Sequence, residues 1–450
     1  MAITISQSPT SPNMANTNLL YVVDSSQKTQ PQFQYVCDIQ DSNKSTLQRV
    51  KQQPNPSGYG VFDIGRIITS YVSPDPVWKT EQFATSSFAN KEYWVAFGEQ
   101  YGTSVSSSLT TYNGIDTTPS QPPAKSGSYA LNLTDGLVNP DSGDWNFASA
   151  SYYYPEAADL YNTFTDQAIL SSAPTTQKVQ DGEYLTLSAY NGNFNNSSTN
   201  AQNISYVEVK VYNSAGSQIQ QFYLENIVAN GGGPKVNAVD LWSAVYTNQT
   251  EGTRLLHIGI GPQNLADGGN TLNANWDSYT VTLLGAGDDG LENQDAIFGT
   301  MTFQKDTANC EYPGVRFAWK NEFGVWDYYT AKLAENSSVD IERNSYTKTF
   351  VDYSTSTSTV AYNAANRGSQ QYYNRLSKRK TANTDFLNQA DADWLRELFY
   401  STDVYVQEGT EFYGVVITNA TITEKTNPRS QKLFTYTVEF EYANPLRPRM

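Results

Sequence analysis

Near the C-terminus Phe434, Tyr436, Val438, Phe440 and Tyr442 alternate with Thr435, Thr437, Glu439 and Glu441. This period of two predicts a strand that buries one face. The same rhythm recurs in EYLTLSAY (183–190), SYVEVKVY (205–212), LLHIGIG (255–261) and SYTVTLLGAG (278–287), with shorter runs at 19–24, 33–39 and 92–101. Between the second of these and QIQQFYLENI stands NSAGS, a set of turn-formers. Helical spacing is confined to two places. Phe62, Ile64, Ile67, Ile68, Tyr71 and Val72 mix periods and suggest a short helix. FLNQADADWLRELF sets Leu387, Ala390, Trp394, Leu395 and Leu398 on one stripe, with Asn388 and Asp391 as an N-cap pair. The predicted fold is mainly β: several β-sandwich or jelly-roll-like domains with one or two short helices.

Patterning and length together suggest about three domains preceded by an arm. Residues 1–16, with two prolines among small polar residues, read as an extended N-terminal arm of the kind that orders against a neighbour. A β-rich domain is expected over 17–165. Within it residues 103–160 are poor in aliphatics and read as long loops that contact a partner. A sandwich-like domain is expected over 166–298, and a β-rich domain over 299–450 with its helix near 388–400 and a three-strand meander after it.

One segment stands apart. RFAWKNEFGVWDYYTAKL (316–333) reads as a hairpin around an Asn-Glu-Phe-Gly turn, with large rings on both faces of its second strand. Rings on two faces of a ribbon must be covered, by another layer of the same chain or by another subunit. Trp319, Phe323, Trp326, Tyr328 and Tyr329 are therefore candidate interaction residues.

Composition narrows the functional classes. The chain has 450 residues, 32 of them Tyr, and a net charge of −16 from 29 basic and 45 acidic residues. Phosphate neutralisation needs surplus Lys and Arg, so free nucleic acid is not an expected partner. No apolar run of about 18 residues predicts a membrane-spanning helix. The N-terminal residues lack the basic and apolar regions of a signal peptide, which places folding in a cytoplasm and Cys37 and Cys310 as reduced, buried thiols.

Candidate chemistry is sparse. His257 is the sole histidine, so His-pair metal sites are ruled out, and its strand position reads as a side chain satisfied by a neighbour. Asp288, Asp289, Glu292 and Asp295 form the densest acidic group, read as a solvated loop ahead of a cation site or a catalytic pair. The glycines at 231–233 lack the ending of a phosphate loop. The one cationic focus is RLSKRK, where Arg375, Lys378, Arg379 and Lys380 read as an exposed approach to the helix or a docking patch for an acidic neighbour. No catalytic, cofactor or metal residues are assigned, and no enzymatic activity is expected.

Three stretches carry a family resemblance. YVVDSSQKTQPQFQYVCDI, RVKQQPNPSGYGVFDIGRII and EYWVAFGEQYG resemble the N-terminal part of virion structural proteins of tailed bacteriophages, especially those of marine and Bacteroidota hosts. VRFAWKNEFGVWDYYTA with SVDIERNSYTK is similar to the aromatic hairpin of that group, and the segment from DADWLRELFY to EYANPLR is similar to its end. The resemblance covers roughly 19–101 and 310–447. It implies a tail-associated structural component of a virion, assembled in the host cytoplasm in multiple copies through β-sheet, aromatic and arm contacts. The partners implied are other virion proteins and copies of the same chain. The alternative is a tail protein that binds a host receptor or surface glycan, with exposed Tyr and Trp stacking on sugars.

Overall fold

A computed structural model describes the chain except residues 1–2, 10–12, 16–17, 42–44, 86–87, 103–110, 114–129, 135–168, 191–203, 227–254, 286–296, 307–313, 334, 350, 363–364, 366, 420–433 and 445–450. The fold is mainly β, with three short helices among the described residues, Gly65–Thr69, Pro262–Asp267 and Gln389–Tyr400. The second of these was not foreseen; it starts on Pro262 behind Gly261, without an apolar stripe to announce it. The chain divides into two compact units. One comprises Met1–Thr307 with Trp319–Tyr328, the other Ala308–Ala318 with Tyr329–Met450.

The first unit begins with two sheets that enclose one core. Ile3–Gln7, Leu20–Ser25 and Gly60–Asp63 make a three-stranded sheet. Asn13–Met14, Ala130–Thr134, Asn90–Tyr101, Gln34–Gln40 and Thr46–Gln52 follow one another across a second, with Thr111–Asn113 also on Asn90–Tyr101. Alternation decides what meets inside. Tyr21 and Val23 from one sheet join Tyr35, Cys37, Ile39, Tyr93, Val95 and Phe97 from the other. Gly60 is required here, because a Cβ at that position would stand 2.7 Å from the Tyr35 ring.

The N-terminal segment departs from expectation. Ile3–Gln7 pairs antiparallel with Leu20–Ser25 of its own chain, and Ile3 and Ile5 pack on the core just described. The described part of the arm is therefore paired within its own chain, Ile3–Gln7 at the edge of one sheet and Asn13–Met14 at the edge of the other, and is not a free tail. Two alternating isoleucines gave it a half-buried face that its small polar neighbours concealed.

The centre of this unit holds two more sheets. Thr176–Val179, Ile297–Lys305, Ser278–Gly285, Ile204–Tyr212 and Gln218–Glu225 form a five-stranded sheet, and Thr186–Tyr190, Leu255–Gly259 and Phe83–Thr85 a three-stranded one. The expected boundaries are crossed twice. Ile297–Lys305 runs through residue 298 to pair with Ser278–Gly285, and Phe83–Thr85 comes from the preceding segment. Strand pairing is non-local, so turn-rich sequence between runs does not mark where a sheet ends.

A further sheet of seven strands runs in the order Trp326–Ala331, Val315–Lys320, Val404–Glu408, Glu411–Ile417, Thr437–Tyr442, Ser369–Asn383, Glu335–Thr347. The predicted meander is present in register, Val404 opposite Val415 and Val416 opposite Glu441. Val438 and Phe440 are buried while Glu439 stays exposed, as the alternation requires. The predicted helix is Gln389–Tyr400. The Asn388 side chain accepts from Asp391 N–H at 2.9 Å and caps it, and Ala392, Trp394, Leu395 and Leu398 face inward. Ala392 replaces the expected Ala390, which is exposed.

Candidate assembly surface

The aromatic hairpin is roofed by its own chain. Asn321 shapes its turn: its N–H donates to the Val325 carbonyl at 2.8 Å, and its side-chain oxygen accepts from the N–H groups of Phe323 and Val325 at 3.0 and 3.1 Å. Gly324 takes the left-handed conformation the turn demands (φ 78°). Trp326 Nε1 donates to the Asp75 carbonyl at 2.5 Å, and its ring stands edge-on to Trp78 with centroids 5.1 Å apart. The hydroxyls of Tyr328 and Thr186 meet at 2.6 Å, and Ser171 donates to Asp327 at 2.8 Å. Phe323 packs on Ala89, Leu170, Leu255 and Val325.

Trp319, Trp326 and Tyr328 are thus buried, and Phe323 and Tyr329 half-buried. Tyr329 lies edge-on to Trp394 and accepts from Asp385 N–H at 3.2 Å. These five residues are not a free interaction surface. The sequence showed that rings on two faces need cover, and the chain itself supplies it.

The exposed apolar residues lie elsewhere. Of fifteen large hydrophobic side chains exposed among the described residues, eight fall between Val339 and Tyr373. That segment belongs to a long antiparallel ribbon of Glu335–Thr347 and Ser369–Asn383, with a smaller pair, Val351–Ser354 and Thr359–Tyr362, near its far end. At about 3.3 Å per residue the first strand runs on the order of 40 Å. Among the described residues only Arg379–Asn383 pair onward, with Thr437–Tyr442. Every residue from Asn336 to Thr347 is exposed, as are Ser369–Arg375 on the partner strand.

Register fixes what each face carries. Ile341 stands opposite Leu376, and Val339 opposite Lys378, so one face bears aliphatic side chains. The other bears tyrosines: Asn344 is opposite Tyr373 where the register shifts, and the rings of Tyr346 and Tyr372 lie 6.1 Å apart. An isolated two-stranded ribbon is marginal in water, so such an element is held at its root or covered along its length.

The root is held by charge. Lys380 Nζ lies 2.7 Å from Glu335 and 3.2 Å from Glu408, and the Tyr442 hydroxyl donates to Glu408 as well. Burial alone would lower the Lys380 pKa, but the hydrogen bonds to Glu335 and Glu408 outweigh it and raise the value. Burial likewise pushes Glu408 upward, yet its bonds from Tyr442 and Lys380 prevail and hold it below the ordinary carboxylate value. Burial and the bond to Glu408 push Tyr442 up to about 12. Arg379 lies 3.1 Å from Asp340 and 3.5 Å from Glu441, and Lys378 sits 4.7 Å from the Tyr442 ring centre.

The basic run forms part of a strand. Arg375, Lys378, Arg379 and Lys380 lie on Ser369–Asn383, the strand that precedes the helix Gln389–Tyr400. Three of the four are engaged within the chain, while Arg375 stands opposite Glu342 in the exposed ribbon. Solvent on both faces had removed the alternation that marks a strand.

The remaining sequence candidates divide between the core and the segments outside the described residues. His257 Nδ1 lies 2.9 Å from Ser188 Oγ, and Nε2 lies 3.7 Å from an Asp75 carboxylate oxygen. All three are buried, and Asp75 also accepts from the N–H groups of Phe88 and Ala89 at 2.8 and 3.0 Å. Ser188 satisfies Nδ1, as the strand position of His257 suggested, whereas Nε2 has no hydrogen-bond partner among the described residues and only the nearby Asp75 carboxylate faces it. Cys37 is a buried free thiol whose pKa burial drives well above its usual range. Cys310, the acidic group from Asp288 to Asp295, the glycines at 231–233 and most of 103–160 lie outside the described residues. Among the described residues no cluster of three His, Cys, Asp or Glu could hold a metal ion, and no helix is long and apolar enough to cross a membrane.

No family model matches the chain, and no curated protein matches it.

Proposed function

We propose that this chain is a structural component of a tailed bacteriophage virion, tail-associated and present in multiple copies. The place in a phage particle comes from the resemblance of residues 19–101 and 310–447. The observation that carries an assembly role is the ribbon, a rooted two-stranded element with apolar side chains exposed on both faces and, among the described residues, an open edge. A protein that works alone in solution gains nothing from such an element, which adds exposed apolar area and an unpaired edge. A building part gains an interface.

The reading is tested on particles. Mass spectrometry of purified virions carrying this sequence detects the chain at many copies, and antibody against residues 339–373 decorates the tail before denaturation if the ribbon is accessible there. Absence of the chain from purified particles refutes the proposal. Saturable binding of the isolated chain to host surface glycan, lost on Tyr346→Ser or Tyr372→Ser, favours the attachment role instead, since these two exposed rings are the ones poised to stack on a sugar.

A further inference from the structure

Three properties of the ribbon bear on what covers it. First, Glu335–Thr347 is the last strand of its sheet, so its outer row of N–H and C=O groups has no strand beside it among the described residues. Natural edges are blunted by proline, bulges or inward charges. This one extends over 13 residues without proline or glycine, and the register shift beside Asn344 places its extra residue, Tyr372, on the inner strand.

Second, charge is ordered along the strand and just beyond it: Asp340 and Glu342 come first, Arg343 and Lys348 afterwards. A strand with acid at one end and base at the other is complementary to an antiparallel copy of itself. Pairing centred on Asn344 sets Asp340 of each copy opposite Lys348 of the other. The strand geometry reaches that far, since Lys348 N–H still donates across the ribbon to the Gly368 carbonyl at 2.8 Å.

Third, two copies of a chain at −16 repel one another over most of their surface, whereas residues 339–377 carry four basic and three acidic side chains. This is where like-charged copies can approach. On the edge strand itself Val339, Ile341 and Tyr346 are 50, 46 and 45% exposed and can pack across the seam.

We propose that the Glu335–Thr347 edge pairs antiparallel with the same edge of a second copy, joining two seven-stranded sheets by main-chain hydrogen bonds, with Asp340–Lys348 contacts setting the register. The inference rests on the structural role proposed above and names its contact. Opposite charges across strands favour pairing and like charges oppose it, and a two-fold axis counts each contact twice.

The test is sedimentation equilibrium on the full chain, with circular dichroism verifying the fold of each variant. Wild type dimerises. Lys348→Asp weakens dimerisation about tenfold or more, and Asp340→Lys combined with Lys348→Asp restores it to within about threefold of wild type. The double variant is decisive because Asp340 also contacts Arg379 within its own chain, so its loss alone is not diagnostic. Dimerisation unaffected by Lys348→Asp, or a double variant no better than the single one, overturns the proposal. A wild type that stays monomeric at the highest soluble concentration, yet occurs in virions, overturns self-pairing and leaves the structural role standing, with a different protein on the edge. Absence from virions overturns the structural role itself, whatever the oligomeric state.

Discussion

Replacing Trp326 by Ala separates the two places where this chain keeps aromatic area. The ring is 3% exposed, paired edge-on with Trp78, and its indole N–H bonds the Asp75 carbonyl. Truncating a buried Trp to Ala costs about 3–5 kcal/mol through lost transfer energy and the cavity left behind. Within that total, the aromatic pair accounts for about 0.5–1.5 kcal/mol and the hydrogen bond for about 1 kcal/mol. The Asp75 carbonyl keeps the Val77 N–H at 2.9 Å, which places the expected loss near the middle of the range. Urea unfolding followed by far-ultraviolet circular dichroism, at two protein concentrations a hundredfold apart, is the assay. A downward shift of the midpoint by that amount, equal at both concentrations, is expected, because the ring is covered within the chain. Trp326→Phe, which keeps most of the ring and loses the N–H, falls between wild type and Ala. An unmoved midpoint, or a shift seen only at the higher concentration, would refute the reasoning and return the hairpin to an intersubunit role.

Tyr353→Ser or Tyr372→Ser on the exposed ribbon changes the same unfolding midpoint of the monomer by no more than about 0.5 kcal/mol, and a loss of several kcal/mol would mean the ribbon is packed. Asn388→Ala removes the cap that accepts from Asp391 N–H and costs about 1 kcal/mol, read by the same unfolding curve; an undiminished stability would deny the cap its role. Glu408 has a depressed folded pKa, so its contribution is in place above the ordinary value of 4.5 and is lost as pH falls through the lower folded value. The stability gap between wild type and Glu408→Gln therefore closes on acidification below 4.5, and a gap constant from pH 7 to strong acid contradicts the assignment. Cys37 is expected to stay unalkylated in the native protein and to react after unfolding, with peptide mapping as the readout; native-state labelling would place the thiol outside the core.

Local pattern was a sound guide wherever one face of a strand is buried. The meander after residue 403, the paired runs at 205–225 and the capped helix could all be read directly, because one-sided burial writes alternation into the sequence and capping writes Asn388 ahead of Asp391. The ribbon was not legible. RLSKRK was read only as a basic focus ahead of the helix, and its strand, Ser369–Asn383, carries no signal of its own. With water on both faces there is no hydrophobic side to mark, and only the register with Glu335–Thr347 identifies it.

What the amino-acid order determined by itself was the kind of element at most positions and the requirement that the aromatic hairpin be covered. What only the tertiary structure decided was the identity of the cover. Ile3–Gln7 folds onto its own Leu20–Ser25, Trp326 meets Asp75 and Trp78 some 250 residues away in sequence, and eight of the fifteen exposed large apolar side chains among the described residues gather at 339–373. Burial is a property of pairs of surfaces brought together by chain topology. An apolar residue states that it needs a partner, and only the folded chain states which one.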